Sequence, residues 1–232
     1  MEKIERIPSG ISGLDELIEG GFLKGSMVLV SGKTGTGKTT FGIEFLVEGL
    51  KRGEKCIFIS LEEAPEEIRM IARHHGWNLE KFEKENLLEI MHIDPLKISE
   101  IEKLERNVFS YIIDEIKNRE GIKRLVMDPI SVLEMYIEYR KEFRKELLKL
   151  KRTLSYLGCT SILISEIPEG SESFSRLGIV EFVVDGIIKL DFVPIGSLAG
   201  RHLLVRKMRI TKHDENLHPI EISKDGIRVL SF

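Results

Sequence analysis

The sequence predicts an α/β protein with a mainly parallel sheet flanked by helices and with antiparallel strands at its C-terminal end. Over the first three-quarters of the chain, short apolar runs alternate with segments whose apolar residues recur every three to four positions. From Gly186 onward, β-type segments follow one another closely instead. The 232 residues contain no evident linker, internal repeat or low-complexity tract. We therefore predict one domain that covers residues 1–232.

A glycine-rich loop follows the first predicted strand, Met27–Val30, and opens a helix that Arg52-Gly53 ends. The loop has the pattern G-x-x-x-x-G-K-[ST] and consists of Gly32, Lys33, Thr34, Gly35, Thr36, Gly37, Lys38 and Thr39. Glycines allow the backbone N–H groups to point at a phosphate, and the helix N-terminus adds partial positive charge. A chance match is the alternative, but the flanking strand and helix disfavour it. The loop predicts a nucleoside triphosphate site.

Individual loop residues have predicted roles. Lys38 is expected to reach the β- and γ-phosphates, and the Thr39 hydroxyl is expected to ligate Mg²⁺. Thr40, the next residue of the helix, is included among the predicted nucleotide-binding residues.

Apolar runs and helix-capping residues predict the helices and strands on either side of the phosphate loop. Ser12 can cap a short helix that Gly20-Gly21 ends. A second strand, Cys56–Leu61, precedes a helix from Pro65 to about His75, and Leu87–His92 is a third strand.

The middle of the chain continues the alternation. Ser99–Arg119 predicts a long helix, Lys123–Asp128 a strand, and Glu138–Leu157 a basic amphipathic helix. We interpret the charge of that helix as a solvated face rather than a nucleic-acid groove. Ser161–Ser165 predicts another strand, and the composition of the loop Pro168–Gly178 indicates mobility.

The C-terminal end predicts the β segments Ile187–Phe192, Leu203–Lys212 and Ile220–Leu230, with a hairpin turn at Lys224-Asp225-Gly226. Strand alternation in the second segment predicts Val205, Lys207 and Arg209 on one face and Arg206, Met208 and Ile210 on the other.

Four polar residues at predicted strand ends are further candidates for chemistry. Asp128 has the form of a Walker B aspartate, which would help to hold Mg²⁺. Glu62 and Glu63 are candidates to activate water, although one of them, for instance Glu63, could instead cap the helix that begins near Pro65. Ser165 is a candidate to hydrogen-bond the γ-phosphate or water.

Composition excludes several classes of protein. The formal net charge of −3 gives no general attraction to nucleic acid or to membranes. The two cysteines, Cys56 and Cys159, have no metal-binding spacing, so we expect buried thiols in a reducing cytoplasm. No apolar run approaches membrane-spanning length, and the N-terminus lacks a signal-peptide pattern. The high charge content and the lack of glutamine are typical of proteins from very hot environments.

Together these motifs resemble the KaiC-type ATPases of the RecA superfamily, which include the circadian-clock protein KaiC and many archaeal single-domain relatives. The likeness covers nearly the whole chain. It rests on the phosphate loop and on the segments Ile7–Leu17, Phe58–Glu63, His75–Trp77, Gly178–Asp185 and Lys207–Arg209, followed by His213 and Pro219.

The resemblance implies a RecA-like core that binds ATP and Mg²⁺ at a subunit interface of a ring, usually a hexamer. It assigns water activation to the glutamate pair, and it assigns contacts with the neighbouring subunit's nucleotide to Lys207, Met208, Arg209 and His213. His74 falls where the family lines the adenine pocket, but a solvated histidine at a helix end is the alternative.

Two departures from the family pattern affect these expectations. Ile210-Thr211-Lys212 replaces the usual Gly-Thr-Ser, which leaves the nucleotide contacts there open. Glu181-Phe182 replaces the autophosphorylated Ser-Thr pair of the clock protein, so phosphorylation of that kind is not expected.

Three functions follow as hypotheses. The first is an ATP-hydrolysing protein that acts as a nucleotide-dependent oligomeric switch. The second is a regulatory or assembly protein that binds ATP with little or no hydrolysis, with an unidentified protein partner. The third, a recombinase-like DNA-binding ATPase, is disfavoured because the loop Pro168–Gly178 has no aromatic-plus-basic stretch.

Overall fold

The computed structural model describes residues 4–94, 108–137, 139–168, 170–195 and 198–230. The helices in this part of the chain are α1 (Leu14–Leu17), α2 (Lys38–Lys51), α3 (Pro65–His74), α4 (Leu79–Lys84), α5 (Val108–Lys117), α6 (Ile130–Tyr136), α7 (Arg140–Tyr156) and α8 (Val180–Val183). The strands are β1 (Arg6–Ile7), β2 (Phe22–Leu23), β3 (Met27–Gly32), β4 (Lys55–Ser60), β5 (Leu88–His92), β6 (Ile122–Asp128), β7 (Thr160–Glu166), β8 (Gly186–Ile195), β9 (Leu198–Met208), β10 (Leu217–Ser223) and β11 (Gly226–Val229).

Most of these strands form one sheet in the order β11-β10-β9-β8-β3-β7-β6-β4-β5. The strands from β8 to β5 pair in parallel, and β9, β10 and β11 pair antiparallel. The short strands β1 and β2 form a separate antiparallel pair. This topology confirms the predicted fold class, a mainly parallel sheet flanked by helices with antiparallel C-terminal strands.

Both faces of the sheet are covered, as a parallel sheet requires. Along β3, Val28 and Val30 pack in one apolar cluster with α2 and α3, whereas Met27 and Leu29 pack in a second cluster on the opposite face. The second cluster includes residues of α5, α6, α7 and α8. Every residue of β3 is buried, so this strand holds the phosphate loop in a fixed position.

Helix α2, which follows the phosphate loop, is held in place by the buried guanidinium of Arg124. Arg124 is fully buried, and its guanidinium donates to Phe45 O on α2 at 2.9 Å, to Pro8 O at 2.8 Å and to Glu54 Oε2 at 2.5 Å. A Cβ at Gly49 would lie 2.5 Å from Arg124 Nε, so glycine is needed there for α2 to lie against the arginine. The pairing with Glu54 compensates a charge that would otherwise be costly to bury.

Several predicted boundaries differ from the structure. Gly13 rather than Ser12 is the N-cap of α1, with a left-handed φ of 83°. The predicted helix Ser99–Arg119 begins outside the described residues, and its described part is α5. Glu138 also lies outside them, and the predicted basic helix is seen as α7. Asn78, whose side chain accepts from Lys81 N, caps the unpredicted helix α4.

The last part of β9 corrects the alternation expected from sequence. We predicted a strand to Lys212 with Val205 and Lys207 on one face. The register between β8 and β9 shifts next to Ile188, which pairs with Val205, so one extra residue enters β9 before Lys207. Val205 and Met208 consequently share one apolar cluster, and Lys207 lies on the opposite face. The strand ends at Met208, because Ile210 adopts a left-handed φ of 54°.

In the described residues, we find no helix long and apolar enough to cross a membrane.

Candidate functional site

A cavity of about 660 Å³ opens at the carboxyl end of the parallel strands, where open α/β sheets bind their ligands. Its walls come from the phosphate loop, the ends of β4, β6 and β7, helix α3, and the turn between β10 and β11. The cavity brings together many residues that the sequence singled out: Thr34, Gly35, Gly37, Lys38, Thr39, Thr40, Glu62, Glu63, His74 and Asp128.

The phosphate loop is closed by its own hydrogen bonds. The Thr36 hydroxyl and the Lys38 ammonium both donate to Lys33 O, each at 2.8 Å. Gly37 has a left-handed φ of 98°, which favours glycine, and a Cβ there would lie 2.4 Å from Ile222 Cδ1, the end of a side chain in the hairpin. Gly32, Lys33 and Thr36 form the base of the loop, whereas the other loop residues line the cavity.

Thr39 and Asp128 meet across the floor of the cavity. The Thr39 hydroxyl donates to Asp128 Oδ2 at 2.7 Å, which joins the start of α2 to the end of β6. Burial raises the pKa of the Asp128 carboxyl to about 7, an effect that the Thr39 hydrogen bond opposes and that nearby Glu63 adds to. Two oxygen ligands side by side, one of them a carboxylate, suit a hard divalent cation such as Mg²⁺.

Glu62 and Glu63 line the same cavity just beyond β4. Burial raises the pKa of both carboxyl groups, and neighbouring carboxylates, including Glu166 in each case, raise it further. The capping role suggested for Glu63 belongs to Glu67, whose carboxylate accepts from Ala64 N at 2.8 Å. Glu63 Oε2 is buried and has no hydrogen-bond partner in the described structure. The glutamates are therefore not committed to capping α3.

The end of β7 differs from the prediction by one residue. Ser165 is fully buried, and its hydroxyl donates to Glu166 O at 3.4 Å. The side chain that reaches the cavity is that of Glu166, whose Oε1 lies 3.4 Å from Lys38 Nζ. The strand extends to Glu166 rather than ending at Ser165, which places the glutamate at the rim.

Helix α3 and the β10–β11 hairpin form the outer walls of the cavity. His74 lines it from an exposed position, whereas His75 is buried and its Nδ1 lies 2.8 Å from Ser223 O. The His75 ring stacks on Trp77, with 4.8 Å between the centroids. The histidine that links the two walls is thus His75, the neighbour of the predicted His74.

Sequence reasoning missed residues that come from distant parts of the chain. Arg201, on β9, lines the cavity and donates from Nε to Gly35 O at 3.1 Å. Ser223 and Lys224 reach the cavity from the hairpin turn. The turn itself was predicted, but only the register of β9, β10 and β11 beside β8 shows that it faces the phosphate loop.

Lys207, Met208, Arg209 and His213 lie at the other end of the sheet. Met208 pairs with Gly186, which pairs with Val28 near the start of β3. A strand advances about 3.3 Å per residue, so the part of β3 from Val28 to its end separates Met208 from the phosphate loop by about 13 Å. The structure therefore does not bring these residues to the cavity of their own chain.

The two cations at that end have partners within the chain. Lys207 Nζ donates to Val184 O at 2.7 Å and to Glu181 O at 3.0 Å, and burial, followed by the charge of Arg209, lowers its pKa. Arg209 is half-exposed and lies 3.4 Å from Asp185 Oδ1. Met208 is buried, and His213 Nδ1 lies 3.4 Å from Thr211 O. Lys207 is held in place, whereas the ion pair of Arg209 among the described residues is long and its guanidinium is half-exposed.

Comparison with known proteins gives a consistent result over nearly the whole chain. A family model described as KaiC ATPase matches residues 7–231. A UPF0273 protein of Methanopyrus kandleri is 37% identical over 235 residues, which cover 97% of this chain and 92% of that protein. A UPF0273 protein of Thermotoga maritima is 38% identical over 231 residues, which cover 97% of this chain and 95% of that protein.

Among solved structures, a KaiC-like protein from Pyrococcus horikoshii superimposes with a TM-score of 0.84 at 38% identity. The superposition covers 99% of this chain and 100% of that one, so both ends of the sheet are included in the likeness.

Proposed function

The chain belongs to the KaiC ATPase family, and on that premise we propose that it hydrolyses ATP with Mg²⁺ as a nucleotide-dependent oligomeric switch. The observation that carries the proposal is the content of one cavity. It holds the phosphate loop, the hydrogen-bonded pair of Thr39 and Asp128, and the glutamates Glu62 and Glu63.

In this proposal the triphosphate lies along the phosphate loop, with Lys38 at the β- and γ-phosphates. The base and ribose lie between α3 and the hairpin, where Ile71, His75 and Ile222 offer apolar and aromatic surface. A cavity of about 660 Å³ is within the size range of small-molecule sites.

The residues present fit a magnesium ion. The Thr39 hydroxyl and the Asp128 carboxylate would hold it, and Mg²⁺ in proteins uses one or two such ligands together with phosphate oxygens and water. The raised pKa of Asp128 reflects its burial, which the Thr39 hydrogen bond and the charge of Lys38 only partly offset. When bound, Mg²⁺ supplies positive charge to the β- and γ-phosphate oxygens.

Glu62 and Glu63 are proposed to orient the attacking water and to accept its proton. A carboxylate with a raised pKa is a stronger base, which favours acceptance of a proton from water. Both glutamates have raised pKa values, and the unpaired Oε2 of Glu63 is an acceptor without a partner in the described structure.

The oligomeric part of the proposal rests on the opposite end of the sheet. Arg209 cannot contact the nucleotide of its own chain across the sheet, but it is half-exposed and held by a single ion pair. An arginine supplied by a neighbouring copy would stabilise charge on the transferring phosphoryl group. When one face of a protein binds a different face of the next copy, the copies associate head to tail. Such association gives a ring when the rotation between copies closes.

The test is to measure mass by size-exclusion chromatography with and without Mg-ATP, and to follow phosphate release on the same sample. Hydrolysis by a ring-sized species supports the proposal. Tight ATP binding without phosphate release would instead favour the regulatory protein with little or no hydrolysis. Salt-sensitive binding of single-stranded DNA would favour the recombinase-like function.

Lys38→Ala tests the binding step. Removing a charge-assisted contact with the phosphates should weaken ATP binding by about 10- to 100-fold. Lys51→Ala, which removes an exposed lysine at the end of the same helix, is the matched control. If Lys38→Ala bound ATP as tightly as the wild type in a calorimetric titration, the assignment of the phosphate loop would be wrong.

A further inference from the structure

The lysine of the phosphate loop already has a carboxylate partner. Lys38 is buried, with 6% of its side chain exposed, and its ammonium has two oxygen neighbours in the cavity. Lys33 O lies at 2.8 Å and belongs to the loop itself, whereas Glu166 Oε1 lies at 3.4 Å and comes from the end of β7. A γ-phosphate that contacts Lys38 must take a place beside the same ammonium group.

The surroundings of Lys38 are strongly acidic. Glu62, Glu63, Asp128 and Glu166 all line the cavity, and the charge of Glu166 contributes to the raised pKa of each of the other three. A γ-phosphate adds further negative charge to this group. Like charges a few ångströms apart in a partly dry site repel strongly, so a bound γ-phosphate disfavours a carboxylate beside Lys38.

Glu166 is the carboxylate that contacts Lys38, and it is free to move. Asp128 is buried and hydrogen-bonded to Thr39, which fixes its position. The side chain of Glu166 is 47% exposed, and its residue is the last of β7, so rotation about its side-chain bonds carries the carboxylate into solvent. The backbone of the next residue stays in place, because Ile167 N donates to Gly32 O at 3.3 Å.

We propose that Glu166 is a displaceable counter-ion of Lys38 that sets the relative affinity of the site for ATP and ADP. The β-phosphate of ADP contacts Lys38 but leaves room for Glu166 beside the ammonium, whereas the γ-phosphate of ATP takes that place and repels the carboxylate. Glu166 therefore weakens ATP binding more than ADP binding. This inference rests on the proposed function, because it concerns selectivity at the same nucleotide site.

The experiment compares dissociation constants of Mg-ADP and of the non-hydrolysable ATP analogue AMP-PNP with Mg²⁺, measured by calorimetry. Glu166→Gln removes the charge and keeps the shape. We expect AMP-PNP to bind about tenfold tighter to this variant and ADP to gain about threefold or less. Glu166→Asp keeps the charge on a shorter side chain. Its ratio of the ADP to the AMP-PNP dissociation constant should lie between those of the wild type and Glu166→Gln.

The matched control is Glu142→Gln, which removes the same charge from an exposed position on α7 outside this cavity and should leave both constants unchanged. Unchanged binding of both nucleotides by Glu166→Gln, or an equal gain for both, would overturn the inference even if the wild type binds ATP. A wild type that binds neither nucleotide would overturn the proposed function together with the inference. Circular dichroism of each variant shows that a changed constant does not come from unfolding.

Discussion

At the carboxyl end of the parallel strands, the phosphate loop, Asp128, Glu166 and the two glutamates share one cavity, and four of its side chains are acidic. At the amino end, Lys207 and Arg209 lie on a surface with Phe174 and Phe182 and rest against carbonyls and a carboxylate of their own chain. The first end is assembled by one chain. The second brings Lys207 and Arg209 to a surface that lies away from the phosphate loop.

Under the proposed function, this contrast means that the two ends depend on each other through association. In that assembly, the carboxylates in the cavity of one copy would face the cations at the amino end of the next, an attraction that favours head-to-tail contact. We therefore expect a single chain to bind nucleotide at its carboxyl end. ATP hydrolysis there should require the amino end of a second copy. Each variant described next changes one end of the sheet and leaves the other end intact.

The largest effect is expected for Arg209→Ala. It should lower ATP hydrolysis by about 10³-fold and leave ATP binding to one subunit unchanged, because an arginine supplied in trans acts on the transition state. Arg152→Ala, an exposed arginine on α7, is the control for loss of charge. Phosphate release and calorimetry give the two readouts.

Mixing Arg209→Ala with Lys38→Ala sharpens this comparison. In mixed rings, some interfaces combine an intact phosphate loop with an intact arginine, so part of the activity should return. If native mass spectrometry showed mixed oligomers and activity did not return, the two ends would not cooperate across an interface.

A smaller effect on rate is expected at the acidic end. The double variant Glu62→Gln/Glu63→Gln should bind Mg-ATP but hydrolyse it about 10²-fold more slowly, because an amide cannot accept a proton from water. The two single variants show which glutamate carries the effect. An unchanged rate of phosphate release in the double variant would remove both residues from catalysis.

Asp128→Asn should stabilise the protein without ligand, measured in EDTA. Burial raises the pKa of Asp128 from 3.8 to about 7, so between these values the folded state binds more protons than the unfolded state. The stability of the wild type therefore falls as pH rises through that window, and the asparagine variant lacks this loss. Urea unfolding should show a gain of roughly 1–3 kcal/mol at pH 8 and almost none at pH 4.

The control is Asp225→Asn, an exposed aspartate at the hairpin turn, which should change little at either pH. A gain at pH 8 that did not shrink toward pH 4 would mean that ionisation of Asp128 is not its cause.

The smallest effect is expected at the amino end, where Ile210 adopts a φ of 54° and is 76% exposed. A left-handed conformation costs a β-branched residue about 1–2 kcal/mol, and asparagine tolerates it better. Ile210→Asn should therefore raise the free energy of unfolding by about 0.5–1 kcal/mol. Leu217→Asn, an exposed aliphatic residue in a strand, should give no gain. Equal effects of the two variants would argue against backbone strain.

Much of the carboxyl end was predictable because its signals are local. The phosphate loop, the strands before Glu62 and Asp128, and the hairpin turn at Lys224 each occupy a few consecutive residues with a defined periodicity. The cavity residues that were predicted follow from one rule, that parallel strands place their carboxyl ends at the same edge of a sheet.

The errors arise where tertiary structure overrides local pattern. Strand β7 extends one residue further than predicted, so Glu166 rather than Ser165 reaches the cavity. A bulge near Val205 places Lys207 on the face opposite to the predicted one. Strand ends and bulges depend on the partner strand, so single-strand alternation cannot locate them. Arg201 and Ser223 reach the cavity only because the antiparallel strands pack beside β8.

Trp77, which stacks on His75, is the one tryptophan of the sequence. His75 lines the candidate cavity, so in the proposed binding mode the indole is one aromatic ring away from the base. The protein therefore carries an intrinsic optical reporter, whose emission should respond when the position of the His75 ring changes. Rapid-mixing fluorescence could then follow the arrival and departure of nucleotide in real time, with no label attached.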